Sequence, residues 1–160
     1  MIIIESIVLC ILLTIAVYFM SRDPIKTIYN YPPKIQDRVK RLKEYEGKIP
    51  TQENKIGIKL VACIIFLIIL SVLLRYVNGY ETLKDCFIYG FLLWSIVNLY
   101  DLIVLDIIWF CHDKYFVIKG TEDMVKDYHD YFFHIKGFLI GEGLACVICF
   151  LAGAIVQFLL

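Results

Sequence analysis

Four apolar runs, at about residues 2–20, 57–74, 87–110 and 138–160, take up more than half of this 160-residue chain. Each approaches the roughly 20 residues a helix needs to cross a ~30 Å hydrocarbon core. Inside lipid every backbone polar group has to be satisfied within the protein, which leaves a helix as the form for such runs. The expected fold class is therefore all-α: an integral membrane four-helix bundle, forming a single polytopic domain over residues 1–160. Its expected location is the plasma membrane. A mean hydropathy of +0.73 agrees with that reading. The charges balance, 16 basic against 16 acidic, so nothing marks a nucleic-acid partner. The first run lacks a basic leader and an A-x-A-like cleavage site, and so reads as a retained span rather than a signal peptide.

Lysine and arginine set the expected orientation. Residues 21–56 hold nine of them, residues 112–136 hold four, and Lys59 lies just inside the second run. The 75–86 connection has only Arg75 and Lys84. Fourteen against two puts the two long connections in the cytoplasm and both termini outside. Of the six cysteines, Cys86 alone then faces the oxidising side, without a partner there.

Within the first long connection, Pro33 can open a helix, and Gly47 followed by Pro50 can close it. Ile35, Val39 and Leu42 recur at helical spacing among five basic residues. A short basic amphipathic helix of this kind is expected to rest on the anionic inner leaflet, making membrane lipids the expected partner. In the second connection Thr121 reads as the N-cap of a helix rich in Tyr128, Tyr131, Phe132 and Phe133. Rings of this sort suit the headgroup level.

The fourth run repeats a small residue every four positions: Gly137, Gly141, Ala145, Cys149 and Gly153. Such a ridge lets helix backbones approach closely in lipid, against another span or against a second copy in a homo-oligomer.

The third run raises the functional question. It carries Asn98, Asp101 and Asp106, with Cys111-His112-Asp113 just past its end. With the midplane near residue 97, Asp101 lies roughly 6 Å inward of it and Asp106 about 13 Å, from a rise of 1.5 Å per residue. On a straight α-helix Asn98, Asp101 and His112 fall within about 60° of one another while Asp106 points elsewhere. Glu142 and Lys59 lie at comparable depth in the fourth and second runs. Lys59 could pair with Asp106 or Glu142, and Asn98 could cap Asp101. One lysine cannot neutralise three acids, so at least one should be protonated, metal-bound or hydrated. Asn98, Asp101, Asp106, Glu142 and Lys59 are thus the expected ligand- or proton-binding residues of an inward-facing pocket. His112, Asp113, His129, Asp130 and His134 cluster near its mouth as candidate ligands for a divalent metal cofactor. No H-E-x-x-H accompanies them, and His129 to His134 is i+5 rather than i+4.

Cys146-Val-Ile-Cys149 resembles the C-x-x-C of four-helix membrane thiol oxidoreductases, though those place the pair at the outer end of a span. Asn98-x-x-Asp101 resembles one motif of the lipoprotein signal peptidases, whose flanking glycines and arginine are absent here. CHDK followed by GTEDMVKDYHDYFFHIKGFLIG is similar to small membrane proteins of low-GC Gram-positive bacteria that are loosely called permeases. That resemblance implies a polytopic membrane protein and assigns no residue roles. Three functions compete: permease-like transport or binding of a small solute, ion or proton; a membrane-embedded, metal-assisted enzyme at the inner leaflet; and a structural or accessory subunit.

Overall fold

A computed structural model of the chain describes the backbone of residues 1–160 and every side chain except those of 52–56, 58, 59 and 62. The protein is all-helical, with no strand among the described residues. α1 spans Ile2–Met20, α2 Pro33–Arg41, α3 Gln52–Val72, α4 Leu83–Tyr100, α5 Val125–Tyr128 and α6 Tyr131–Leu159. Two of them continue directly into π-helix, α3 through Leu73–Val77 and α4 through Asp101–Phe110. Three stretches are long and apolar enough to cross a membrane by length and composition: Ile2–Met20, Leu83–Phe110 and Val125–Leu159. Among the described residues the remaining apolar stretch, Cys63–Val77, is shorter.

Hydropathy marks where the apolar part of a helix lies, and polar caps carry the helix beyond it. Thr82 starts α4 by accepting a hydrogen bond from the Asp85 amide at 3.2 Å. Asp130 starts α6 by accepting from the Phe133 amide at 3.1 Å. Both side chains satisfy amides that a helix start leaves unpaired. α4 and α6 make the most extensive contact of the fold; α3 packs on α6 and α1 on α4. Outward-facing residues such as Ile7, Ile11, Ile64, Ile68, Val147 and Phe158 are exposed, an apolar exterior too extensive for a water-facing monomer.

At one end of the bundle lie the termini. There the Glu5 carboxylate accepts from Asn78 Nδ2 at 3.1 Å and from the Tyr89 hydroxyl at 2.8 Å, tying α1 to α4 and to the turn after α3. The two long connections close the other end as a compact cap. Ile25, Ile28, Tyr31, Ile35, Val39, Phe110, Phe116, Ile118 and Tyr128 form its buried core.

This cap revises two expectations. The apolar face of α2 does not lie open to a lipid surface: Ile35 and Val39 are fully buried among the cap residues. A helical stripe says that a face needs covering, and here the protein's own second connection covers it. Two of the α2 cations are paired with this second connection as well, Lys34 with Asp127 at 3.0 Å and Arg38 with Asp123 at 3.2 Å. The hydrogen bond and charge of Asp127 hold the Lys34 pKa above its ordinary value. Thr121 likewise does not cap a helix. It is buried, donates to the Ile118 carbonyl at 2.6 Å and shares a hydrogen bond with the Tyr128 hydroxyl at 2.7 Å. Tyr128 is therefore a core residue of the cap, while Tyr131 and Phe132 are exposed.

Candidate functional site

A cavity of about 590 Å³ lies beneath the cap, between the end of α1, the first connection, the π-helix and the start of α6. Asn98, Asp101, Asp106, His134, Tyr31 and Gly137 are among the residues lining it. Its position follows from the backbone of the third apolar run. From Asp101 onward the hydrogen bonds run i to i+5, so the Cys111 amide reaches the Asp106 carbonyl at 3.0 Å. Asp101 and Asp106 stand five residues apart and become neighbours along this wider helix. The straight-helix expectation, with Asp106 on another face, fails for that reason. Both carboxylates line the one cavity.

Each polar side chain has a different environment. Asp106 accepts from His134 Nδ1 at 3.0 Å, and the His134 side chain is only 3% exposed. The Phe110 and Phe133 rings meet that imidazole edge-on, with centroids 5.1 and 5.3 Å away. The other imidazole nitrogen, Nε2, is buried and unpartnered among the described residues. Glu142 is held from both sides: Oε2 accepts from Ser95 Oγ at 2.7 Å and Oε1 from Asn98 Nδ2 at 2.8 Å. The same Asn98 nitrogen reaches the Phe138 carbonyl at 3.1 Å. Asn98 therefore serves Glu142, not Asp101 as the sequence suggested. Gly141 makes that possible, because a Cβ there would sit 2.9 Å from Asn98 Oδ1. Asp101 is half-buried and, among the described residues, has no hydrogen bond or ion pair. Lys59 lies outside the described residues.

The candidate metal ligands are dispersed. His112 and His129 approach, with ring centroids 4.9 Å apart, but His112 Nδ1 is engaged with the Ile107 carbonyl at 2.8 Å. Asp113 accepts from Trp109 Nε1 at 3.1 Å and from the Tyr115 amide at 2.9 Å. Asp130 caps α6 and His134 binds Asp106. Among the described residues no three His, Cys, Asp or Glu side chains gather into a metal site. All six cysteines are free, including Cys146 and Cys149.

Two features escaped the sequence reading. His134 belongs with Asp106 inside the cavity rather than at its mouth, a pairing across helices that spacing alone cannot reveal. Glu5 escaped as well, although an acid in an apolar run is the same signal that singled out Asp101. No family model, curated protein or solved structure matches the chain.

Proposed function

We propose that the chain is a four-span protein of the plasma membrane, both termini outside, whose cavity opens inward and binds a small cation for permease-like passage. The observation supporting this reading is the Asp101 carboxylate, which has no partner among the described residues and shares a cavity with Asp106. A half-buried carboxylate without a partner is unfavourable until a cation or a proton reaches it. Of the basic residues that line the cavity, His134 is committed to Asp106, and Lys136 is exposed. The cavity therefore favours positive charge. Glu142, held by Ser95 and Asn98, is the structural acid of the group and keeps α6 in register with α4.

The four-span reading counts α3 as a span, joined by its π-helical extension to the short turn at the terminal end. The basic residues of the two long connections then fall on the cytoplasmic side, as the positive-inside rule requires. Anionic lipids are the expected neighbours of the cations on the cap surface, such as Arg41, Lys43 and Lys126, and a second copy would meet an outward face of α6.

The test is binding and flux of ethylammonium, with ethanesulfonate as the anionic control, in nanodiscs and proteoliposomes. Wild-type protein should bind the cation and carry it across the vesicle, and Asp101→Asn should abolish both. Equal behaviour of wild type, Asp101→Asn and empty vesicles would remove the reading.

A further inference from the structure

A second cavity, about 450 Å³, lies between α1, α3 and α4. Its walls are Leu13 and Ala16 of α1, Phe66 and Leu70 of α3, and Trp94 of α4. Almost everything facing it is carbon. Two polar residues line it, Asn98 and Asp101, and both also line the cavity beneath the cap. The two chambers thus meet at Asp101, a lining acid that has no hydrogen bond or ion pair among the described residues. Trp94 belongs to the same wall; its indole meets the Phe66 ring edge-on with centroids 5.0 Å apart, and its Nε1 is buried and unpartnered among the described residues.

We infer that the site takes a lipophilic amine: a protonated amino head between Asp101 and Asp106, and an apolar chain lying along Trp94 in the second chamber. This rests on the cation-binding reading and narrows it to a ligand class. The argument is one of complementarity. A small inorganic cation would use the first chamber and leave the second, carbon-lined one without a role. An uncharged acyl chain would fill the second chamber but leave Asp101 unpaired. A molecule with a cationic head and an apolar tail satisfies both chambers at once, and Asp101 is where its head and tail would join. The lateral position of the second chamber, against α1 and α3, also suits a ligand that arrives from the bilayer rather than from water.

The probe is a series of primary amines (butylamine, octylamine and dodecylamine) with dodecanol as the uncharged match. Binding is followed in nanodiscs by titration calorimetry and by quenching of Trp94 with a chain-brominated dodecylamine. A Trp109→Phe background leaves Trp94 as the single indole, since the chain has two tryptophans. Affinity should rise about fourfold per added methylene until the chamber is full, the transfer free energy of one CH₂. Asp101→Asn should abolish binding of every amine. Ala16→Phe, which fills the chamber from the exposed side of α1, should remove the dependence on chain length and the quenching while leaving butylamine binding intact. Leu13→Phe should do the same without adding an indole, which guards against one wall variant misfolding. Equal affinity along the series, or chain dependence that both wall variants leave intact, overturns the lipophilic ligand while the cation reading stands. Dodecanol binding as tightly as dodecylamine makes the chamber a lipid-tail crevice and overturns it too. Absence of Asp101-dependent binding for any amine overturns both.

Discussion

One face of α6 behaves differently at its two ends. Toward the termini, Ala145, Cys149 and Gly153 are buried against α4. A Cβ on Gly153 would come within 2.9 Å of the Leu83 carbonyl and 3.3 Å of the Cys86 side chain. Here backbone meets backbone. At Gly141 the close neighbour is instead a side chain, the Asn98 amide, and at Gly137 nothing lies within 4 Å. The same four-residue repeat thus runs from a closed contact, through a polar one, to the edge of a cavity. Small residues permit close approach; whether the approach happens depends on what the facing helix presents. α4 presents Cys86 and Gly90 at the closed end, and a π-helix carrying Asp101 and Asp106 at the open end.

Gly153→Leu should break the closed end most severely. A branched side chain cannot share the space of the Leu83 carbonyl, and backbone cannot yield as a side-chain tip does. Overpacking of this kind typically costs about 1–3 kcal/mol, and this contact belongs at the upper end. A drop in thermal unfolding temperature in detergent is the readout. A variant as stable as wild type would mean that α4 and α6 are not in backbone contact there.

At the polar step, Asn98→Ala should cost about 2 kcal/mol. It removes the donor to Glu142 Oε1 and to the Phe138 carbonyl, leaving a half-buried acid with the Ser95 hydroxyl as its one remaining described donor. Asn98→Ala combined with Glu142→Gln should recover part of that loss, because the carboxylate left short of a donor is gone. A double variant that simply adds the two losses would show that Asn98 and Glu142 do not act together.

How much of this could be read from the chain follows the range of each interaction. Apolar run length located three long helices and the described part of a fourth, because lipid-length helices are a local property of composition. Asn98, Asp101, Asp106 and Glu142 stand out for a similar reason, as polar residues in apolar surroundings. Which of them meet was not legible. The Asp106–His134 pair and the Glu142–Asn98 pair bring α6 against the third run, and their sequence separations carry no periodic signal. Neither was the π-helix legible, since one hydrogen-bond register of difference leaves the hydrophobic pattern nearly unchanged. The cap was half legible: the spacing of Ile35 and Val39 marks a face to be buried, but not that Tyr31, Phe116 and Tyr128 would bury it.

The cap over the open end should also loosen at alkaline pH. Tyr31 is buried in the cap, its ring edge-on to Phe110 at 4.9 Å and to Tyr128 at 6.2 Å. Burial, with the neighbouring tyrosines, pushes its phenol well above the ordinary value of about 10. A pKa raised on folding means that the folded state holds the proton more tightly. Its contribution is complete below about pH 10, where the phenol is neutral in both states. As pH rises further the unfolded chain ionises first and stability falls, until the folded phenol ionises too. Thermal unfolding of wild type should therefore weaken above about pH 10 by about 1 kcal/mol per unit, and Tyr31→Phe should flatten that slope. A slope unchanged in Tyr31→Phe would place the alkaline sensitivity elsewhere.

The smallest effect tests the open end itself. Gly137 lies in the second turn of α6, lines the cavity and has no heavy atom within 4 Å of where a Cβ would stand. With no crowding to oppose it, Gly137→Ala should follow helix propensity alone. Glycine loses more backbone freedom on folding than alanine, so the substitution should stabilise by roughly 0.5–1 kcal/mol. The same exchange at Gly153, on the same face, should destabilise, because its Cβ would meet the Leu83 carbonyl. Opposite signs from one chemical change would separate the two ends of the ridge by packing rather than by composition. If Gly137→Ala also destabilises, that glycine is in close contact and the cavity does not reach it. A hinge or bend at Gly137 would give a third result, unchanged stability with altered cation flux in vesicles. Unfolding temperature and ethylammonium flux measured on the same variant distinguish the three.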